Sequence, residues 1–280
     1  MTSFAARLAA KIKDVGPLCV GLDPSTSILQ SCSLPDTAEG AFRFAQRVLE
    51  ASDGKLSIVK PQCAFFERFG SAGWQALERA TTLARSMGIL VLLDGKRGDI
   101  DTTAEAYGHT FFTPAAPLFA DAITVHAYLG FGALKRLLDV ALKNEGGVFV
   151  VVRSSNPEGE ALQLARMANG NTVAGDLALT ITTFNQTVAT AGLGPVGAVV
   201  GATCTDADGI TQMMPQSFIL APGVGAQGAT IADIVTRMPS ARGRVLPSVS
   251  RGILSNGTTV PEIRSALAKM NREAIRVLVD

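Results

Sequence analysis

Short, continuously apolar runs alternate with longer amphipathic ones along the whole chain. Eight runs read as strands: LCVGLD (18–23), LSIVKPQ (56–62), ILVLLDGK (89–96), DAITVHAY (121–128), GVFVVVRSS (147–155), VGAVVGAT (196–203), SFILAPGVG (217–225) and RVLPSVSRG (244–252). Most lack polar alternation, the pattern of strands buried on both faces of a parallel sheet. Between them, DTAE at Asp36–Glu39 and TVPE at Thr259–Glu262 read as capping boxes, the second with Pro261 in the first turn. Ala41, Ala45 and Val48 follow the first box at helical spacing, and Ile263, Leu267 and Met270 follow the second. Further helices are expected over 71–87, 103–112, 130–145, 171–191, 206–214 and 229–238. The opening MTSFAARLAAKIKD is basic and amphipathic, with Phe4, Leu8, Ile12 and Val15 on one helical face. It lacks the apolar core of a signal peptide and predicts a leading helix, about 1–15, that covers a barrel floor.

Eight β/α units with no linker or repeat between them predict an α/β fold, a TIM (β/α)8 barrel in a single domain over residues 1–280. The alternative is an open doubly wound sheet, whose usual GxGxxG after the first strand is replaced here by GLDPST.

Composition narrows the function. The 280 residues are 47% hydrophobic and 18% charged, enough apolar material for one large core. With 25 basic and 24 acidic residues the net charge is +1, so no overall field recruits nucleic acid or an anionic membrane. No apolar run approaches the roughly 18 residues of a membrane span. Cys19, Cys32, Cys63 and Cys204 lie far apart with no CxxC pair, which argues against a disulfide framework and a zinc site and fits a reducing cytoplasm.

In such a barrel the C-terminal strand ends carry the chemistry. The first strand ends at Asp23, the second at Lys60, and the third at Asp94 and Lys96, which share one strand face because side chains alternate. A lysine behind four residues of LSIV has little surface to reach, so Lys60, Asp94 and Lys96 together point to a site rather than to solvated charge. Asp99 and Thr103 lie beyond the third strand at helical spacing, where each could also cap the next helix. The fifth strand ends at Ser154. The turns after strands seven and eight, PGVGAQG with Gln227 and SRG with Arg251 and Gly252, offer backbone N–H groups and a guanidinium to a phosphate. His109, inside a helix, and His126, at the end of strand four, read as structural or supporting. Trp74, Met213 and Met214 read as packing or surface residues. With no His/Cys cluster, no transition metal is expected.

These residues resemble a known family. DGKRGDIDTT is similar to the D-x-K-x-x-D-I-x-x-T signature of the orotidine 5'-phosphate decarboxylases, and GLDPS, VKPQCAFFE, VVRSSNP and PGVGAQG resemble the long-chain bacterial branch over about residues 18–252. PSVSRG departs from the more glycine-rich turn of the short-chain branch. The resemblance implies decarboxylation of orotidine 5'-phosphate to UMP by a cytoplasmic homodimer with shared sites and no metal or cofactor. It implies that Lys60, Asp94 and Lys96 of one chain meet Asp99 and Thr103 of the next. Asp23 would take ribose hydroxyls, Ser154 the pyrimidine edge, and Gln227 and Arg251 the phosphate. Removing CO2 leaves a carbanion in the ring plane with no electron sink encoded, so a fixed ammonium, Lys96, is expected to stabilise it and donate the proton. The nearest rival is a metal-assisted sugar-phosphate decarboxylase or aldolase on the same barrel, and a second is an idle barrel that only binds nucleotides or a partner protein.

Overall fold

A computed structural model describes residues 2–189, 192–225 and 228–279. Among them, eight parallel strands pair in sequence order and close on themselves: β1 (Cys19–Leu22), β2 (Ile58–Pro61), β3 (Leu90–Arg97), β4 (Ala122–Val125), β5 (Gly147–Arg153), β6 (Val196–Val200), β7 (Ile219–Ala221) and β8 (Val245–Val249). Seven of these lie inside the runs read from sequence, and β3 continues one residue further, to Arg97. The helices are α1 (Phe4–Val15), α2 (Thr26–Ser31), α3 (Ala38–Ser52), α4 (Cys63–Glu67), α5 (Gly70–Ser86), α6 (Asp101–Phe112), α7 (Lys135–Lys143), α8 (Glu160–Gln163), α9 (Val173–Val188), α10 (Ala207–Gln212), α11 (Ile231–Arg237) and α12 (Val260–Leu278). The fold is a TIM barrel. Among the described residues no helix is long and apolar enough to cross a membrane.

The strands are apolar on both faces because each face meets a different core. Val20, Val59, Val91, Ile123, Val148, Ala198 and Val245 pack outward against the helices. Cys19, Ile58, Leu92, Ala122, Phe149 and Leu246, one residue out of phase, form a second cluster inside the barrel. α1 completes that inner cluster with Phe4, Ala5, Leu8 and Ile12, and the Phe4 ring meets Phe149 edge-on at 6.0 Å. The leading helix therefore plugs the floor, as its apolar stripe predicts.

Local signals differ in two places. The box at Thr259 forms: Glu262 accepts from the Thr259 N–H at 3.0 Å. At the other, the N-cap is Thr37, whose hydroxyl accepts from Gly40 N, while Asp36 pairs with Arg68. Asp36 has a guanidinium to bond and leaves the cap to its neighbour. A capping box not anticipated from sequence stands at Thr230 and Asp233. The segment between β5 and α9 is an exposed excursion containing the short α8, tied down at its root by Arg153.

Candidate active site

The inner face of the barrel changes character two residues above the apolar floor. On β2 the inward sequence runs Ile58, Lys60, Gln62, and on β3 it runs Leu92, Asp94. Lys60, Gln62 and Asp94, together with Thr124, Val151, Val199, Leu220 and Ser248, line a cavity of about 380 Å³ at the C-terminal strand ends. Period-two alternation therefore does two jobs: one face of each strand supplies the floor lower down and the site higher up.

Asp94 is the centre of that site. Its Oδ2 accepts from Lys60 Nζ at 2.8 Å, and its Oδ1 accepts from Lys96 Nζ at 2.5 Å and from Thr124 Oγ1 at 2.7 Å. Gln62 Nε2 donates to the Asp94 carbonyl at 3.1 Å. Lys60 and Asp94 are both buried, at 6% exposure, so neither charge is dispersed by water. Burial pushes the Asp94 carboxyl up, but the Lys60 and Lys96 ammoniums outweigh it and hold the group well below the usual carboxylate range. Burial pulls Lys60 down, and the carboxylates of Asp23 and Asp94 more than reverse that. Breaking such a buried pair by removing one member typically costs about 3–5 kcal/mol.

Lys96 reaches Asp94 by an unexpected route. Strand alternation predicts that residues 94 and 96 share a face, yet β3 leaves regular pairing between Leu93 and Arg97, and Lys96 takes a left-handed φ of +45°. For a non-glycine residue that conformation costs on the order of 1–3 kcal/mol and persists only where neighbours over-determine it. Gly98 follows, and a Cβ there would lie 2.5 Å from the His126 carbonyl oxygen, so the β3 and β4 loops approach as only glycine allows. The Lys96 side chain is about half exposed, at 47%, and lines the cavity.

Asp23 lies 3.9 Å from Lys60 Nζ, and its buried Oδ1 makes no hydrogen bond among the described residues. Asp23 is one of the residues that line the cavity. Opposite, the walls are Val151, Val199, Leu220 and Pro222, with Ser154, Asn156 and Arg251 at the rim. Ser154 Oγ accepts from Gln163 Nε2 at 2.8 Å and donates to Asn156 Oδ1 at 2.7 Å. Beneath it the buried Arg153 bonds Glu160 at 2.8 Å, Asp206 at 3.2 Å and the Ser154 carbonyl at 2.9 Å. Arg251 opens a short 3-10 turn, and Gly252 meets Gly225 across the gap: a Cβ on Gly225 would lie 3.8 Å from the Gly252 Cα. Gly223, Gly225 and Gly228 all have positive φ, as the turn after β7 requires. Gln227 lies outside the described residues.

The structure thus brings together Asp23, Lys60, Asp94, Lys96, Ser154 and Arg251. It does not bring Asp99 or Thr103 to the same cavity. Asp99 Oδ1 accepts from Ile100 N at 2.8 Å, and Thr103 is exposed on α6, which starts two residues beyond Asp99. Asp99 is therefore not on that helix, and the shared helical face expected from spacing is absent. His126 and His109 are exposed, and His109 Nδ1 lies 3.3 Å from Thr113 Oγ1. Burial pushes the Cys63 thiol, close behind the site, up to about 12, which leaves it no nucleophile. Gln62, Thr124, Asn156 and Ser248 were not singled out by sequence. Thr124 and Ser248 stand two residues above the inward apolar Ala122 and Leu246, Gln62 stands two residues above Lys60, and Asn156 lies in the turn beyond β5.

A buried acid held between two ammoniums lines a cavity at the C-terminal strand ends of a closed eight-stranded barrel, the place where TIM-barrel enzymes carry their chemistry. Residues 16–266 match the orotidine 5'-phosphate decarboxylase / HUMPS family, and the chain belongs to that family. It is 46% identical over 280 residues to the orotidine 5'-phosphate decarboxylase of Salinispora arenicola, spanning 100% of this chain and 97% of that one. The corresponding figure for the Streptomyces coelicolor decarboxylase is 43% over 266 residues, 95% of each. A crystal structure of a candidate decarboxylase from Streptomyces avermitilis superposes with a TM-score of 0.94 at 40% identity, covering 100% of this chain and 97% of that one. Leishmania donovani OMP decarboxylase superposes at 0.82, with 30% identity and full coverage of both.

Proposed function

We propose that this protein decarboxylates orotidine 5'-phosphate to UMP, with Lys96 stabilising the carbanion at C6 and donating the proton that replaces CO2. The observation that carries the reading is the pair of ammoniums on opposite oxygens of buried Asp94 at the mouth of the cavity. An ammonium anchored in this way is pre-oriented, so little reorganisation is needed as negative charge develops beside it. Lys60 keeps Asp94 ionised, and Asp94 keeps Lys96 in place. Asp23 Oδ1 is the acceptor for a ribose hydroxyl. Ser154 and Asn156 face the pyrimidine edge, and Arg251 with the glycine turns after β7 and β8, Gln227 among them, holds the phosphate.

Repulsion between Asp94 and the substrate carboxylate is a secondary effect. At about 4 Å and an effective dielectric near 20 it amounts to roughly 4 kcal/mol. Enzymes lower barriers by about 8–23 kcal/mol, so stabilisation of the transition state carries the larger share.

The working unit in this reading is a homodimer. Asp99 and Thr103 stand outside their own chain's cavity; Ile100, next to Asp99, and Tyr128 and Leu129, in the turn after β4, are exposed at 52%, 77% and 55%. An apolar rim of this kind is suited to a second copy, whose Asp99 would then complete the charged array. Four buried free cysteines accord with a reducing, cytoplasmic setting.

A metal-assisted sugar-phosphate reaction on the same barrel is the reading to exclude. Both Asp94 oxygens already accept ammonium protons, so a cation there would have to displace a lysine. Loss of orotidine 5'-phosphate absorbance, followed with and without a chelator, decides between them: equal rates support the proposal, and loss of turnover in the chelator contradicts it.

A further inference from the structure

The pairing between β3 and β4 is interrupted at the catalytic segment. Leu92 pairs with Ala122 and Leu93 with Ile123, and pairing resumes only at Arg97 with Val125. Asp94, Gly95 and Lys96 therefore stand opposite the single residue Thr124. Above the gap the ladder is regular again, since His126 N donates to the Arg97 carbonyl at 3.0 Å.

The Thr124 hydroxyl fills that gap in both directions. Its oxygen accepts from the Lys96 backbone N–H at 3.0 Å, and its proton is donated to Asp94 Oδ1 at 2.7 Å. The polarity is fixed, because an amide N–H can only donate and a carboxylate can only accept. Thr124 is 1% exposed, and a β-branched side chain has few rotamers to choose from. One hydroxyl thus grips the backbone of Lys96, in its left-handed conformation, and the carboxylate oxygen that holds the Lys96 ammonium.

We propose that Thr124 is a positioning residue for the decarboxylation, setting the Lys96 ammonium through a three-point hydrogen-bonded clamp of Lys96 N–H, the Thr124 hydroxyl and Asp94. The inference rests on the role given to Lys96 above. Thr124 itself transfers no proton: its single hydrogen is committed to Asp94. Without the hydroxyl, the Lys96 amide loses its acceptor and Asp94 Oδ1 keeps only the ammonium, which is then free to shift along the carboxylate. Displacements of about 1 Å at a reacting group can cost on the order of 100-fold in rate.

The test compares Thr124→Val, which keeps the shape and removes the hydroxyl, with Thr124→Ser, which keeps the hydroxyl. Wild type and Lys96→Ala serve as controls, and orotidine 5'-phosphate is the substrate. Thr124→Val should lower kcat by about 100-fold with KM within about threefold of wild type, and Thr124→Ser should recover at least about tenfold of that loss. A merely structural threonine would lower the melting temperature of the valine variant and leave kcat of the folded enzyme unchanged, and that result overturns the proposal. Equal losses in the valine and serine variants, or a loss in KM alone, overturn it as well. Activity retained in Lys96→Ala would instead remove the role of Lys96 on which the inference rests. Where Thr124→Val does not fold, amide hydrogen exchange of the wild-type protein decides: the Lys96 N–H should be protected, and exchange at the unfolded-chain rate contradicts the clamp.

Discussion

The two halves of the barrel mouth are built differently. From β1 to β4 the cavity is lined by charged and strongly polar side chains that rise from the strands or their immediate ends and bond to one another: Lys60 and Lys96 to Asp94, Gln62 to the Asp94 carbonyl, Thr124 to both Asp94 and Lys96. From β5 to β8 the strands contribute mostly an apolar wall, Val151, Val199 and Leu220, and the polar groups Ser154, Asn156 and Arg251 come from the turns beyond. One half holds charges rigidly at fixed distances. The other offers an apolar wall with polar groups at its rim, which in the proposed reading meet the pyrimidine ring and the phosphate. Chemistry that depends on ångström placement is thus assigned to the sheet, and recognition to the loops.

If that division is correct, substitutions in the two halves should separate in kinetics. The largest effect belongs to the charged half. Lys96→Ala and Asp99→Ala should each remove nearly all turnover, and mixing the two inactive proteins should restore roughly a quarter of wild-type activity through hybrid dimers carrying one intact site. No recovery despite demonstrated subunit exchange would remove Asp99 from the array. A smaller and different effect is expected from the loop half. Arg251→Ala should raise KM about 10- to 100-fold while kcat changes little, as for the loss of a charge-assisted hydrogen bond. A fall in kcat with KM unchanged would blur the comparison.

The smallest effect should come from pH. Asp94 has a folded pKa below its unfolded value, so its contribution to stability is present above about pH 4 and is lost as pH falls toward the folded value. Lys60 has a folded pKa above its unfolded value, so its contribution is complete below about pH 10 and is lost as pH rises further. Neither group titrates between those limits. Melting temperature followed from pH 5 to 9 should therefore show no break from this pair, and a loss of stability that variants of Asp94 or Lys60 abolish would contradict the assigned directions.

Much of this was legible in the chain. The eight strands announce themselves because burial on both faces demands unbroken apolar runs, and a lysine or aspartate at the end of such a run has nowhere to go but the barrel mouth. The floor was legible too, since Phe4, Leu8 and Ile12 need a partner surface and the inner cluster lacks a lid without them. Thr124 was not. Its role depends on three residues of β3 standing opposite one of β4, a mismatch of register that no periodicity in DAITVHAY reveals. Asp36 misled for a related reason: the rule for helix caps is local, while Arg68, which takes that carboxylate, is 32 residues away. Asp99 and Thr103 were read correctly as standing beyond the strand, but α6 begins too late to give them one face.

The central claim is that a positive nitrogen at position 96, held by Asp94, carries the reaction. All four native cysteines are buried, whereas Lys96 is half exposed, so Lys96→Cys can be alkylated selectively with 2-bromoethylamine to rebuild an ammonium of nearly the original length. The account predicts that the cysteine variant is inactive toward orotidine 5'-phosphate and that alkylation restores a substantial part of kcat. Full activity before alkylation, or none after complete modification of a folded protein, would contradict it.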